Sequence, residues 1–134
     1  MKNKENILKT KRHKEGILHL AMNDPKSKNS LSKQMMDSLM NTIETAYTDD
    51  SVKVIIIAAT GNVFCAGHDL KEMTEARKTK KQGEPIFRDL FDQCSALMKL
   101  IVNCPKPVIA EVSGIATAAG CQLVATCDLA LASS

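Results

Sequence analysis

Two segments of the sequence each combine a buried strand, a turn of very small residues and the start of a helix. The first joins residues 54–59 (VIIIAA) to 64–69 (FCAGHD), and the second joins 108–112 (VIAEV) to 114–120 (GIATAAG). Small residues let a ligand approach the backbone, and N–H groups at a helix start lack intrahelical partners. Two such turns facing one point can hold a developing oxyanion, which lowers a barrier by about 3 kcal/mol per donor. Tight helix–strand packing requires the same small residues, so spacing alone leaves both interpretations open.

The composition favours one globular domain. The chain has 134 residues, of which 44% are hydrophobic and 25% charged, and both fractions are typical of globular domains. Aromatic residues make up 3%, so we expect an aliphatic core and no stacking platform for nucleic acids. No apolar run reaches the roughly 20 residues of a spanning helix, so no membrane partner is expected. The clustered lysines near the start predict a basic, solvated tail over residues 1–12.

The five cysteines do not suggest a metal site or a disulfide framework. Their number is odd and none forms a CxxC pair, while the chain holds only three histidines. We therefore expect no bound metal and reduced, buried thiols in a reducing compartment. The residues concerned are Cys65, Cys94, Cys104, Cys121 and Cys127.

Alternating strand and helix patterns position the two turns. Strands are predicted over residues 16–23, 52–59, 108–112 and 128–133, the second of them buried on both faces. Amphipathic helices are predicted over 32–47, 86–102 and 118–126, with a short helix through 70–73. This order indicates the α/β class. The polar segment 75–85 is the candidate mobile segment.

Four blocks of the sequence resemble the crotonase superfamily, the enoyl-CoA hydratase/isomerase family. They are residues 23–31 (NDPKSKNSL), 63–73 (VFCAGHDLKEM), 105–110 (PKPVIA) and 113–123 (SGIATAAGCQL), in the order and spacing of the family. The resemblance covers about residues 12–134, and two blocks are most like one group of hydratase domain-containing members. It implies a crotonase-like (ClpP/crotonase) spiral of ββα units, truncated before the C-terminal helical part. Residues 13–134 are then the N-terminal portion of such a domain.

The resemblance implies an acyl-CoA thioester as substrate or ligand, with no other cofactor. In the family, an oxyanion hole uses two backbone N–H groups, which correspond here to His68 and Ala119, in the two turns described above. Contacts with coenzyme A are implied for a further set of residues: Lys26, Lys28, Ser30, Ala66, Gly67, Asp69, Leu70 and Gly120. For the two lysines, an ordinary solvated loop is the alternative. The family forms trimers or hexamers through C-terminal helices that would lie beyond residue 134.

Three side chains near the first turn carry further hypotheses. The imidazole of His68 titrates near neutrality and is a candidate general base, although the resemblance assigns that position a backbone role. Asp69 is predicted to cap the short helix that follows. Glu72 lies one helical turn further along and is a candidate for facing the pocket.

Gln122 departs from the family pattern. Hydratases of the family carry an acid/base Glu at this position, and Gln does not exchange a proton near neutral pH. Their second catalytic Glu lies downstream of the segment that matches Ser134. The sequence therefore predicts an enoyl-CoA hydratase/isomerase-type protein of fatty-acid metabolism that stabilises a thioester enolate and hydrates enoyl-CoA little or not at all.

Two alternatives to an enzyme stay open. The first is a non-catalytic module that binds acyl-CoA. The second is a non-functional remnant of a longer gene, suggested by the uncovered strand at residues 129–132. We expect a cytoplasmic location for a bacterial source and the mitochondrial matrix for a eukaryotic one.

Overall fold

The computed structural model describes residues 6–78 and 83–134. The strands are β1 (Leu8–Arg12), β2 (Ile17–Met22), β3 (Val54–Ala59), β4 (Val63–Cys65), β5 (Val108–Val112), β6 (Ile115–Ala116) and β7 (Leu129–Ala132). The helices are α1 (Lys33–Tyr47), α2 (Leu70–Lys78), α3 (Gly83–Val102) and α4 (Ala119–Thr126), with a short 3-10 turn at Pro25–Ser27. The predicted α/β class is confirmed.

The strands form two sheets. The larger has the order β1-β2-β3-β5-β7, in which only the β1–β2 pair is antiparallel. Parallel neighbours require crossover connections, and α1, α3 and α4 lie in those crossovers. The smaller sheet pairs β4 with β6 in parallel. Because β4 precedes the first small-residue turn and β6 precedes the second, this pair brings the two turns together.

The core lies between the larger sheet and the helices, mainly α1 and α3. Met35, Met36, Leu39 and Ile43 of α1 are fully buried in one cluster with aliphatic side chains of β2 and β3, while Met40 is partly buried. Phe64 is the one aromatic side chain among the fully buried ones, so the core is aliphatic as expected. In β3, Ile55 and Ile57 are fully buried but Ile56 is only partly buried. On the same face as Ile56, Ala58 is buried, so the prediction that this strand is buried on both faces is confirmed at Ala58 but not at Ile56.

The predicted basic tail over residues 1–12 is too long. Residues 8–12 form β1, which pairs antiparallel with β2 from Leu8↔Met22 to Arg12↔Leu18. Leu8 is buried, while the other four residues of β1 are exposed. An edge strand with one buried side chain and several lysines has almost no hydrophobic pattern, and edge strands are commonly protected by lysines. Residues 1–5 lie outside the described part of the chain.

The helices around the polar segment are longer than predicted. The structure places residues 75–78 in α2 and 83–85 in α3, while residues 79–82 lie outside the described residues. Pro85 falls in the first turn of α3, where its missing N–H removes no intrahelical bond. Residues 75–85 are therefore helical where they are described, and the mobility of this segment stays a prediction.

The cysteines are free but not uniformly buried. Cys65 and Cys94 are buried, Cys104 and Cys127 are partly buried, and Cys121 is exposed on α4, contrary to expectation. Burial raises the pKa of the Cys65 and Cys127 thiols to about 11. All four residues of β7 are exposed, as the sequence predicted for an uncovered strand. Within the described residues, no cluster of His, Cys, Asp or Glu is suited to hold a metal, and no helix could cross a membrane.

Candidate functional site

The two small-residue turns lie against each other at the end of the β4–β6 pair. Cys65 of β4 is in register with Ala116 of β6, and the N–H of Thr117 donates to the carbonyl of Cys65 at 3.1 Å. The chain then turns away from both strands, into α2 on one side and α4 on the other. The short sheet therefore positions the turn that holds His68 beside the turn that holds Ala119.

Two glycines make this close approach possible. Gly67 has φ +92°, and a Cβ there would lie 3.2 Å from the backbone nitrogen of Ala119 and 3.0 Å from the Cβ of Ala118. A Cβ on Gly120 would overlap the carbonyl oxygen of Cys65. The backbones on each side therefore touch at both positions, which requires residues without side chains.

The N–H groups of His68 and Ala119 are left open by the surrounding hydrogen bonds. In the second turn, Gly120 donates to Thr117 O at 2.8 Å and Gln122 donates to Ala118 O at 3.2 Å. Ala119 is the first residue of α4, so its N–H has no intrahelical partner. Across the described residues, neither His68 N–H nor Ala119 N–H donates a hydrogen bond. The two donors predicted from the resemblance thus have no acceptor among the described residues.

Ala118 is held in a conformation that only glycine adopts readily. Its φ is 51° and its ψ is −126°. Such a backbone costs on the order of 1–3 kcal/mol, and strain of this kind clusters at functional sites. The strained residue sets the direction of the peptide that carries the Ala119 N–H. The sequence gives no signal for it, since an Ala-Ala pair ordinarily fits a regular helix.

The predicted nucleotide loop is hydrogen-bonded to the first turn. The N–H of Ala66 donates to Lys28 O at 3.2 Å, and the N–H of Leu31 donates to Gly67 O at 2.7 Å. Leu31 and His68 also form an isolated parallel bridge. The structure therefore brings the loop at residues 24–31 together with the segment that holds the predicted oxyanion donor.

Asn29 organises this loop and was not predicted from the sequence. It is 1% exposed, and its Nδ2 donates to Thr60 O at 2.9 Å and Val63 O at 2.8 Å. Its Oδ1 accepts from the N–H of Asp24 at 2.7 Å. Its φ of 52° lies in the left-handed region that Asn tolerates. The turn-forming composition of the loop was the only signal, and it does not identify which Asn faces inward.

The loop at residues 24–31 exposes its two lysines at the surface but buries Ser30. Lys26 and Lys28 are exposed, whereas Ser30 is 4% exposed and its Oγ has no hydrogen-bond partner within the described part of the chain. A contact between the Ser30 hydroxyl and a ligand at the surface is therefore not available in this conformation.

The residues after His68 hold α2 in place. The Oδ1 of Asp69 accepts from the N–H of Lys71 at 2.8 Å and from that of Glu72 at 3.4 Å, which confirms the predicted cap. The Oε2 of Glu72 accepts from the N–H of Lys33 at 3.1 Å, which ties α2 to the start of α1. Glu72 lines a cavity of about 560 Å³ between α2 and α3, apart from the cavity that contains His68. Leu70 is 74% exposed.

A cavity of about 440 Å³ lies between α3 and α4, beside the two turns, and both His68 and Gln122 line it. Gln122 follows Ala119 by one helical turn, so the two residues share a face of α4. From α3 the lining includes Phe91, Ser95 and Lys99, none of which was predicted as a site residue. Their spacing of four residues places them on one side of α3, outside its buried stripe. Sequence periodicity identifies such a face only as exposed.

The imidazole of His68 is half-buried in an apolar setting. Its ring meets the Phe91 ring edge-to-face, with centroids 5.2 Å apart and an interplanar angle of 89°. Its Nδ1 is buried and has no hydrogen-bond partner in the described residues. Desolvation by burial lowers the pKa of His68 below its ordinary 6.5. The side chain is therefore a neutral imidazole near neutral pH.

The family profile and the curated relatives that match this sequence agree with each other. The sequence profile of the Enoyl-CoA hydratase/isomerase family matches residues 12–134. The mitochondrial enoyl-CoA hydratase domain-containing protein 3 of Mus musculus is 46% identical over 126 residues, which are 94% of this chain and 40% of the mouse protein. The chain thus spans less than half the length of this curated relative.

Solved structures agree with the fold. Human enoyl-CoA hydratase domain-containing protein 3 superimposes with a TM-score of 0.86 at 44% identity, covering 95% of this chain and 48% of that one. An enoyl-CoA hydratase of Mycobacterium smegmatis gives a TM-score of 0.87 at 44% identity, covering 96% and 48%. These comparisons confirm the predicted resemblance, the crotonase-type fold and the N-terminal portion to which the chain corresponds.

Proposed function

The chain belongs to the enoyl-CoA hydratase/isomerase family, and we propose that its two turns bind the thioester group of an acyl-CoA. The thioester oxygen would lie between the N–H groups of His68 and Ala119. One observation carries this proposal: the two turns are in backbone contact, and these two N–H groups are left without partners in the described chain. Backbone donors fixed in this way favour the state in which the oxygen carries negative charge.

The loop and the first turn supply the proposed contacts with the rest of coenzyme A. Lys26 and Lys28 are cationic and exposed, and a nucleotide polyphosphate is anionic, so the pairing is electrostatically favourable. The backbone of Ala66 and Gly67 and the exposed Leu70 would flank the pantetheine and adenine. Asp69 and Gly120 would act indirectly, Asp69 through the cap of α2 and Gly120 through its contact with Cys65.

The chemistry that this site supports best is stabilisation of a thioester enolate. It needs no cofactor beyond the coenzyme A thioester, since the backbone supplies the stabilising dipoles. We expect slow hydration, because Gln122 has no proton to exchange near neutral pH. The same residue favours a second candidate function, acyl-CoA binding without catalysis.

The metabolic role, location and oligomeric state are proposed from the relatives. A place in fatty-acid metabolism is suggested by the family, and a mitochondrial location by the designation of the mouse relative. Trimer or hexamer formation, as in the family, is likewise proposed.

The test is a titration of the purified chain with acetoacetyl-CoA, followed through the ultraviolet band of the bound enolate. We expect a saturable band with the native chain. Gly67→Ala should abolish it, because the new Cβ would crowd Ala119 N at 3.2 Å. Gly61→Ala is the matched control: it has a similar φ of +82°, but its nearest neighbour is Pro25 Cβ at 3.7 Å. A native chain without a band, or equal bands in both variants, contradicts the proposal.

A further inference from the structure

Among the described residues that line the cavity beside the two turns, one side chain ordinarily titrates near neutral pH. This is His68; the other titratable groups in the lining are Cys94 and Lys99, and the lining contains no carboxylate. Burial raises the pKa of the Cys94 thiol above its usual value, which keeps it protonated. A site that moves a proton in this cavity therefore depends on the imidazole.

The surroundings of the imidazole keep it neutral and fix its plane. The Phe91 ring packs edge-to-face against it, and Nδ1 is buried without a partner in the described chain. The described residues include no carboxylate in an ion pair with His68, and the neighbouring Asp69 directs its Oδ1 to two N–H groups of α2. The charged group that lines the same cavity from α3 is Lys99, and α4 contributes the uncharged Gln122 and Thr126. Because Nδ1 is enclosed, the nitrogen that can accept a proton from a ligand in the cavity is Nε2, with the hydrogen of the neutral ring on Nδ1.

We propose that the His68 imidazole transfers the proton at C2 of the bound acyl thioester, so that this site catalyses proton exchange and double-bond migration rather than hydration by two carboxylates. The inference rests on the proposed binding of the thioester oxygen by the His68 and Ala119 N–H groups. The oxygen and C2 of a thioester are two bonds apart. One residue can therefore serve both atoms, the oxygen through its backbone and C2 through its side chain.

The step balances without any further reactant. An imidazole nitrogen takes the C2 proton, and the C2–H electron pair becomes the C1=C2 bond. The carbonyl π pair moves onto the oxygen, where the two N–H groups stabilise it. The imidazolium then returns a proton to C2, which gives exchange with solvent. With a 3-enoyl chain it returns the proton to C4 instead, which moves the double bond from C3 to C2.

The experiment follows the purified chain with 3-butenoyl-CoA in D₂O. Formation of the conjugated 2-butenoyl thioester is read from its ultraviolet absorbance, and deuterium incorporation is measured by mass spectrometry. His68→Gln should lower both rates by about 10²- to 10⁴-fold, the usual contribution of a general base. It should retain the acetoacetyl-CoA enolate band, since the backbone N–H remains. His19→Gln, which removes an imidazole paired with Glu111 on the large sheet, should leave both rates unchanged.

Two further readouts separate proton transfer from a structural role. The exchange rate of the native chain should rise with pH through a pKa below 6.5 and then level off, because the neutral imidazole is the active form. His68→Gln should lack this rise. Free imidazole should restore part of the rate to His68→Ala.

Each negative outcome has a distinct meaning. An enolate band with no exchange by the native chain, or with unchanged exchange in His68→Gln, overturns this inference and leaves the proposed function standing. Loss of the band together with exchange in both His68 variants, without rescue by imidazole, also overturns it and assigns His68 a structural role. A native chain that gives no band overturns the proposed function as well.

Discussion

The two turns of the site hold the two proposed donors but are built differently. The first reaches its left-handed backbone with Gly67, for which φ +92° carries no steric cost. The second reaches a positive φ of 51° at Ala118, and its glycine follows two residues later. There Gly120 provides room against Cys65 rather than conformational freedom. Gly67 therefore serves both backbone conformation and close approach, whereas Gly120 serves close approach alone.

The two turns also differ in how they are supported. The first is hydrogen-bonded to the loop at Lys28 and to Leu31, and it ends in the Asp69 cap of α2. The second depends on the two-residue strand β6 and on the bond between Thr117 N and Cys65 O. This difference predicts that loss of supporting hydrogen bonds affects the first turn more than the second, while crowding affects both.

The largest effect should come from Gly120→Ala. The new Cβ would overlap the Cys65 carbonyl, and because that atom belongs to the backbone, the strands or α4 must shift. Overpacking of this kind costs about 1–3 kcal/mol or more. We expect a lower midpoint in thermal unfolding and loss of the enolate band. Native values for both would show that the second turn does not depend on this contact.

A smaller effect is expected for Asn29→Ala in the support of the first turn. The substitution leaves the Thr60 and Val63 carbonyls without their amide donor, and unsatisfied buried groups cost about 1–3 kcal/mol. Urea unfolding should show the loss, with weaker acetoacetyl-CoA binding as the loop loosens. Asn62→Ala is the matched control, because Asn62 is exposed and its side chain makes none of these bonds. Equal stabilities of the two variants would contradict the role of Asn29.

Asp69→Ala removes the cap and should lower the free energy of unfolding by about 1 kcal/mol, a usual value for a helix N-cap. The Asp69 Oδ1 satisfies two N–H groups at the start of α2, so that helix should fray first. Hydrogen exchange of the amides of α2, measured against those of α1, checks this. Faster exchange in both helices alike would indicate a global effect instead of a local one.

The smallest effect should follow Ala118→Gly. Relief of strain at φ 51° stabilises the folded chain, while the extra freedom of glycine stabilises the unfolded chain by about 0.4–1 kcal/mol. Because about 1–3 kcal/mol of strain is relieved, we expect an unfolding free energy that is unchanged or slightly raised, with the enolate band retained. A large loss of stability would mean that the Ala118 methyl group contributes packing that outweighs its strain.

Gln122→Glu tests whether a carboxylate at residue 122 allows hydration. The carboxylate would stand where family hydratases carry their acid/base Glu, one turn after Ala119. We expect weak hydration of crotonyl-CoA to appear, with the isosteric native Gln as the control. Unchanged turnover would show that one carboxylate in this cavity is insufficient, which leaves the His68 pathway unaffected.

Much of the site was predictable because turns that bring backbones close together require small residues, and small residues are visible in the sequence. Runs of small residues after apolar strands identified both turns, and the motif GHDL indicated the Asp69 cap. Elements with weak or no periodicity were missed: β1 has one buried side chain, and β6 has two residues. The inward orientation of Asn29 was also missed, since turn-forming residues look alike in sequence whether they face inward or outward.

The sequence alone determined the α/β class, the aliphatic core, the two turns and the absence of a carboxylate at residue 122. Each of these follows from local composition or from the spacing of apolar residues. Only the tertiary structure decided that His68 and Gln122 share a cavity, that Nδ1 of His68 is unpaired, and that Ala118 carries the strain. These properties depend on contacts between β4, β6, α3 and α4, which are far apart along the chain. No local pattern encodes which side chain a distant helix will meet.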